Sequence, residues 1–185
     1  KKKAAKKAGD ENAASRYHNL QWVKKIVLNS LFGATGHPGF RYYQNDYAEG
    51  ITYHGQLAIR WVAKDIDKYL NKVLATEDVQ YVIYCDTDSV FVSLQDLVDK
   101  VFKDTSDPQK ITDFVNSVCQ DKLEKIIEQS FDHLKDYTNS YVNQMKMKRE
   151  NIANRAIFLA KKKYIMNVYD DGDTRYTEPK LYMKG

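Results

Sequence analysis

The stretch Tyr81 to Leu94, YVIYCDTDSVFVSL, carries apolar and aromatic strand formers on both sides of a polar group, Asp86, Thr87, Asp88 and Ser89. That pattern constrains the segment to a β-hairpin whose tip holds two carboxylates one residue apart. Acids raised on a rigid sheet can hold a cation. Mg²⁺ is a hard ion that prefers carboxylate oxygen and keeps several waters, so one or two protein carboxylates plus substrate phosphates usually complete its shell. Two such ions can clamp the attacking and leaving oxygens of an in-line phosphoryl displacement. Taken alone, the same four residues also read as a solvated acidic turn, because Asp is a common turn former. The rest of the chain has to separate the two readings.

A chain of 185 residues is long enough to bury a core without disulfides or structural metal. Its two cysteines make no framework: Cys85 sits in the hydrophobic strand and Cys119 in an amphipathic segment, and both read as core thiols of a reducing compartment. No zinc-ligand spacing is present. There is no apolar run of membrane-spanning length, and the lysine-rich start lacks the hydrophobic centre of a signal peptide, so a cytoplasmic protein is expected. The formal net charge is only +4, but it is unevenly spread. Lys1 to Lys25 is basic, Asp86 to Asp136 acid-rich, and Tyr137 to Gly185 basic again. Two basic blocks around an acidic centre suit a protein that grips a polyanion while keeping negative charge for metal. Ordinary charge on solvated helices is the plain alternative.

Periodicity predicts an α+β chain. Lys1 to Ala8 reads as the end of a basic helix, followed by a turn at Gly9 to Asn12. Ala13 to Phe32 spaces Tyr17, Leu20, Val23, Val27, Leu28 and Leu31 as a helix that stops at Gly33. Gly36, Pro38 and Gly39 mark a loop. Ala48 to Leu70 repeats Ile51, Gly55, Ala58, Val62, Ile66 and Tyr69 on one face of a long helix, and Thr112 to Leu134 buries Val115, Val118, Ile126, Ile127, Phe131 and Leu134. Asp104 to Gln109 is expected as a surface loop. Ala156 to Ala160 and Lys163 to Tyr169 read as strands, the second joined by a turn at Asp170 to Thr174 to a last strand-like run from Arg175 to Tyr182. A small antiparallel sheet packed against long helices, with a helical N-terminal segment, accounts for this order. The aromatic set Phe40, Tyr42, Tyr43, Tyr47 and Tyr53 is expected in packing, with nucleic-acid stacking as the alternative.

Lys24 to Gly33, KKIVLNSLFG, is a second constellation. Lys25 and Asn29 lie four residues apart on one helix face with Phe32 three further on. Such a face can present an ammonium to a triphosphate, an amide at the sugar and a ring under a base. Lysine suits the first task as a flexible point charge. Alone, the three also read as two surface residues and one core ring.

These residues resemble family B DNA polymerases, and the bacteriophage T-even-type branch most closely. KKIVLNSLFG is similar to that family's motif B, KxxxNSxYG, and CDTDSV to its motif C. AKKKY, Ala160 to Tyr164, resembles the KKRY element of the branch, with IMNVYD and TEPKLYMKG continuing the likeness. MKRENI, Met147 to Ile152, is similar to a DREAI-like stretch of phage members. Order and rough spacing agree from about Arg16 to Gly185, most weakly across Asp96 to Tyr141. The resemblance implies a palm-like sheet over residues 34–185 and the C-terminal part of the fingers over residues 1–33.

The roles implied follow position by position. Asp88 and Asp86 would be the catalytic acids, Asp88 as the metal ligand and Asp86 as the neighbour that shapes coordination, with Mg²⁺ as cofactor and two ions in the complete enzyme. Glu150 would be an accessory metal carboxylate, though Lys148 stands where the family has Asp. Lys25 would contact the triphosphate of the incoming deoxynucleotide, with Asn29 beside it. Phe32 occupies the usual Tyr position, so the ring can pack under the nascent pair but has no hydroxyl to donate toward the minor groove. Gly33 would let the backbone approach the template. Lys161, Lys162 and Lys163, the last replacing Arg, would line the primer-template minor groove, with Lys162 nearest the active centre and Tyr164 packed against the primer end. On a strand, only alternate lysines of such a run share a face. Asp170 also matches a family position, with no role implied.

The family's second metal-binding acid belongs to motif A, DxxSLYPS, and no such element precedes Lys24. A two-metal site with one principal ligand cannot hold both ions, since each needs several oxygens. The isolated chain is therefore expected to lack activity and to need the portion carrying motif A, in the same or a separate chain. A non-catalytic DNA-binding module is the alternative of a different class. Expected partners are primer-template DNA, deoxynucleoside triphosphates and, for the full enzyme, a sliding clamp. A phage-encoded member would work in the infected bacterial cell.

Overall fold

The computed structural model describes residues 1–103, 107–172 and 174–185, apart from the side chains at positions 3, 6 and 7. It divides into two compact units, Lys1–His54 and Gly55–Gly185. The first unit is helical. α1 (Lys2–Lys7) gives way to a turn at Gly9, whose φ of 71° suits a residue without Cβ. Asp10 then starts α2 (Glu11–Thr35) by accepting a hydrogen bond from the Ala13 N–H at 2.9 Å. The helix runs two residues past Gly33, where the sequence predicts its end, and Gly36 closes it with its N–H on the Ala34 carbonyl. One interior glycine costs about 1 kcal/mol relative to alanine, too little to stop a helix of 25 residues. Leu20, Val23, Val27, Leu28 and Leu31, whose spacing predicts the helix, are all exposed.

α3 (Asn45–Leu74) begins in the first unit and continues into the second. From Ala58 onward its buried residues, Ala58, Val62, Ile66, Leu70 and Leu74, recur every four positions. They share a core with Tyr81 and with Ile127, Phe131 and Leu134 of a later helix, α6 (Glu124–Tyr137). Burying side chains of this size contributes about 1.5–3 kcal/mol each. The region expected as one helix from Thr112 to Leu134 is three pieces: α5 (Pro108–Val118), a π-helical turn Cys119–Leu123, and α6. The wide turn inserts a residue into the 3.6 repeat, so the buried stripe passes from Val115 to Leu123 and Ile127, and Val118 and Ile126 are only half-buried. A short helix, α4 (Gln95–Val101), lies before it in the chain. Of the loop expected over Asp104 to Gln109, residues 104–106 lie outside the described residues; Asp107 caps α5 by accepting from the Gln109 N–H at 3.0 Å.

Among the described residues, strand formers build two small antiparallel sheets, in keeping with the expected α+β class though the sequence suggests a single sheet. β1 (Val82–Asp86) pairs with β2 (Ser89–Val92), Asp86 opposite Ser89, leaving Thr87 and Asp88 as the connection. β3 (Ile152–Ala160), β4 (Lys163–Asp170) and β5 (Arg175–Lys184) form the second sheet in that order. β5 contains Pro179, which cannot donate to a ladder and suits its edge position. In the turn expected over Asp170 to Thr174, residue 173 lies outside the described residues. Cys85, expected in the core, is exposed, because Val82, Tyr84 and Asp86 take the inward positions of β1 and period-two alternation turns Ile83 and Cys85 outward. Among the described residues no helix is long and apolar enough to cross a membrane.

Candidate active site

The acid hairpin is fixed at its base by α3. Asp67 Oδ1 accepts from the backbone N–H groups of Tyr81 and Val82 at 2.8 and 2.9 Å, and the Asn71 amide brackets Val79, donating to its carbonyl at 2.8 Å and accepting from its N–H at 3.1 Å. The strand thus leaves a buried helix from a defined point, and its tip inherits that placement. At the tip, the Asp88 N–H bonds the Asp86 carbonyl at 2.6 Å across Thr87, whose φ is 55°. That is a γ-turn on a β-branched residue, a conformation that costs on the order of 1–3 kcal/mol and that clusters at functional sites. The Thr87 hydroxyl donates to Asp86 Oδ1 at 3.1 Å.

The two carboxylates have different surroundings. Asp88 is exposed, whereas Asp86 is only 6% exposed and has a lysine against each oxygen. Lys184 Nζ donates to Oδ2 at 3.1 Å, and Lys162 Nζ stands 4.0 Å from Oδ1. The hydrogen bond from Lys184 holds the Asp86 carboxyl below the ordinary carboxylate value; burial opposes this, and the Thr87 hydroxyl and the charges of Lys184 and Lys162 reinforce it. The same hydrogen bond, with Tyr164, raises Lys184 above the ordinary lysine value.

Both lysines come from the second sheet. β3 and β4 are joined by a tight turn at Lys161 and Lys162, since Ala160 pairs with Lys163 and Lys162 has φ 64°. The three lysines therefore do not alternate along a strand, as the sequence suggests; two make the turn and Lys163 opens β4. Lys184 lies opposite Tyr164 in the β4–β5 ladder, with its Nζ 5.4 Å from the centre of the Tyr164 ring. An aromatic cluster binds sheet to hairpin: Tyr84 meets Phe158 at 4.8 Å and Phe91 at 5.4 Å, and Phe91 meets Tyr164 at 5.2 Å. Such pairs add about 0.5–1.5 kcal/mol beyond the area they bury. Tyr164 is 5% exposed, a ring beneath the lysine turn. Tyr84 also accepts a hydrogen bond from the Lys162 N–H at 2.9 Å.

Sequence reasoning assigned no part in this site to Tyr84 or Lys184. Tyr84 stands two residues before Asp86 and so on the same strand face, a signal that was available. Lys184 required the register of β5.

The other expected site residues stand on α2 and just before β3. Lys25, Asn29, Phe32 and Gly33 belong to α2 of the first unit, where Lys25 and Asn29 are exposed and Phe32 lines an apolar groove with Leu28, Leu31, Tyr47, Ile51 and His54. A Cβ at Gly33 would meet no atom within 4 Å. Glu150 is exposed just before β3. Its neighbour Arg149 forms a buried ion pair with Asp170, gives Nη2 to Asn116 at 2.8 Å, and donates its backbone N–H to Glu124 at 3.2 Å. Arg175 completes the knot, 2.8 Å from Asp170 and 2.6 Å from Asp113. Burial would raise the Asp170 carboxyl, but the hydrogen bonds from Arg149, the Gly172 N–H and Arg175 outweigh it and hold the group below its ordinary value.

The hairpin's donors suit a divalent cation in part. Asp86 and Asp88 are hard oxygen donors of the right chemistry, and Asp88 is open to solvent. Among the described residues, no three His, Cys, Asp or Glu side chains form a group that could hold a metal, so Glu150 is not gathered with the hairpin acids. The hairpin fits as part of a ligand set, with Asp88 its available member.

The sequence model of DNA polymerase family B matches residues 1–131. The chain is 38% identical over 187 residues to the DNA-directed DNA polymerase of Enterobacteria phage T4, a match covering 95% of this chain and 20% of the relative. It is 37% identical over 174 residues to that of Escherichia phage RB69, covering 88% and 19%. It is 27% identical over 180 residues to a DNA polymerase of Choristoneura biennis entomopoxvirus, covering 82% and 17%. The chain thus spans about a fifth of the length of the curated relatives it matches. With more than half of its residues matched by the family model, and with the acid hairpin inside that match, the chain belongs to DNA polymerase family B.

Proposed function

We propose that the chain supplies the metal-binding hairpin and part of the nucleotide- and DNA-contacting surface of a DNA-directed DNA polymerase that adds deoxynucleotides to a primer 3′ end. The reading is carried by one juxtaposition: an exposed acid turn, Thr87 and Asp88, beside a lysine turn whose Lys162 reaches within 4.0 Å of Asp86. A carboxylate for a hard cation next to ammonium groups for phosphate is the electrostatic arrangement that a nucleic-acid end demands. The names of the phage relatives support the same class.

Bound divalent ions, two Mg²⁺ in the complete enzyme, would supply the charge that sharpens the primer 3′ oxygen and steadies the triphosphate. Asp88 would hold an ion, and Asp86 would shape that position through its neighbours. Lys25 and Asn29 would receive the triphosphate and sugar, Phe32 would pack under the nascent pair without a hydroxyl to donate, and Gly33 would admit the template backbone. Lys161, Lys162 and Lys163 would lie along the primer-template, held up by Tyr164. Residues 1–33 would then be fingers and residues 34–185 palm, with Glu150 an accessory acid. Two hairpin carboxylates cannot fill the shells of two ions, so further ligands would come from motif A on additional polypeptide, joined or separate. A sliding clamp would bind elsewhere on that assembly.

The test uses the complete polymerase that contains this chain. Asp88→Ala should abolish primer extension with Mg²⁺ while salt-sensitive DNA binding persists; undiminished synthesis would remove the metal assignment and favour a DNA-binding module. Nucleotide addition by the 185-residue chain alone would show that no further ligands are needed.

A further inference from the structure

We infer that Lys184 is a built-in counter-cation that competes with a divalent ion for Asp86, and thereby sets how tightly the hairpin binds metal and directs the ion to Asp88. The inference rests on the proposed reading of the hairpin as a metal site. Lys184 Nζ sits 3.1 Å from Asp86 Oδ2 and Lys162 Nζ 4.0 Å from Oδ1, so each oxygen of this 6%-exposed carboxylate already faces an ammonium. A hydrated Mg²⁺ needs near-octahedral access to an oxygen and gives up its water reluctantly. At Oδ2 it must share the oxygen with the lysine, against the lysine's charge, or displace it. Asp88, the last residue of the γ-turn, forms no ion pair among the described residues and is exposed.

Lys184 is also placed rather than loose. Its β5 position pairs with Tyr164, its ammonium lies 5.4 Å from the Tyr164 ring centre, and its side chain is 42% exposed, so the charge can yield to a competitor. A positive group this close to Asp86 does two opposing things to an ion nearby: it occupies an oxygen and it repels the ion's charge. Both weaken divalent binding at the hairpin. Lys162, farther from its oxygen and more exposed, exerts the smaller effect.

The experiment titrates Mn²⁺ into the 185-residue chain and reads bound ion from the loss of the free-ion electron paramagnetic resonance signal. Lys184→Met should bind Mn²⁺ roughly fivefold more tightly than the parent, a modest gain because the pair is partly solvent-screened. Lys184→Arg, which keeps the charge, should stay near the parent. The gain should vanish in Lys184→Met combined with Asp86→Asn. Lys184→Gln serves where Lys184→Met does not give the parent's far-ultraviolet circular dichroism. Unchanged or weaker binding in the charge-removing variants overturns the inference, as does a gain that survives loss of Asp86. Binding that falls with Asp88→Asn but ignores Lys184 overturns the inference alone. Binding that ignores Asp88 and Lys184 alike overturns both it and the metal reading.

Discussion

The Tyr84 hydroxyl accepts a 2.9 Å hydrogen bond from the backbone N–H of Lys162, tying the acid hairpin to the lysine turn across 78 positions of sequence. The ring that carries the hydroxyl is packed on Phe91 and Phe158, so it cannot move without disturbing both sheets. Tyr84→Phe keeps the ring and deletes the bond. It should cost about 1 kcal/mol of stability and speed hydrogen exchange of the Lys162 amide. An amide exchanging as slowly as in the parent would mean that the turn is held by packing alone.

Asp170 sits at the end of β4 with Arg149 and Arg175 on its two oxygens, and Asn116, Asp113 and Glu124 complete a polar knot that joins α5 and α6 to the second sheet. Removing one partner leaves buried charge uncompensated. Asp170→Ala should lower unfolding stability by about 3 kcal/mol, measured by urea denaturation. Asp113→Ala, at the exposed rim, should cost less than about 1 kcal/mol. Equal effects would show that the knot does not depend on burial.

The sequence discloses the acid hairpin because strand formers flank a turn group, a signal local in the chain. The α3 stripe from Ala58 to Leu74 is legible for the same reason, its period being fixed by helix geometry. What stays hidden depends on non-local register or on a broken period. The π turn at Cys119–Leu123 leaves no mark in the 3.6 repeat until its effect on Leu123 is seen. The arginine partners of Asp170 come from β5 and the segment before β3, and α5 holds those arginines in turn. Lys184 reads as one more surface lysine until β5 is set against Tyr164. The apolar residues of α2 disclose a helix through their spacing, but spacing does not say what covers them, and they are exposed.

The two cysteines should differ in reactivity. Burial pushes the Cys119 thiol up to about 11, with Arg149 opposing and Glu124 adding to the effect. The Cys85 thiol is raised too, by burial and by Asp67, but the residue is exposed. Since the thiolate is the reactive form, a disulfide reagent at pH 8 should label Cys85 first and Cys119 only on unfolding. Cys85→Ser should therefore leave a chain that scarcely reacts until denaturant is added. Rapid reaction of that variant in the native state would contradict the packing around the π turn.

Acid should destabilise the fold through two carboxylates in particular. Asp86 and Asp170 both titrate below the ordinary value of 3.8 in the folded chain. A carboxyl depressed on folding contributes stability that is complete above its unfolded value and is lost as pH falls through its folded value. The urea midpoint should therefore be insensitive to these two groups between about pH 5 and pH 7, and should fall steeply below pH 4 as they take up protons. Asp170→Asn should lower the plateau and flatten the acid limb, because the variant has no proton left to gain there. Lys184→Met should flatten the limb by a smaller amount, since Asp86 would lose its first cause of depression but keep Thr87 and Lys162. An acid limb equally steep in Asp170→Asn would assign the loss to other carboxylates.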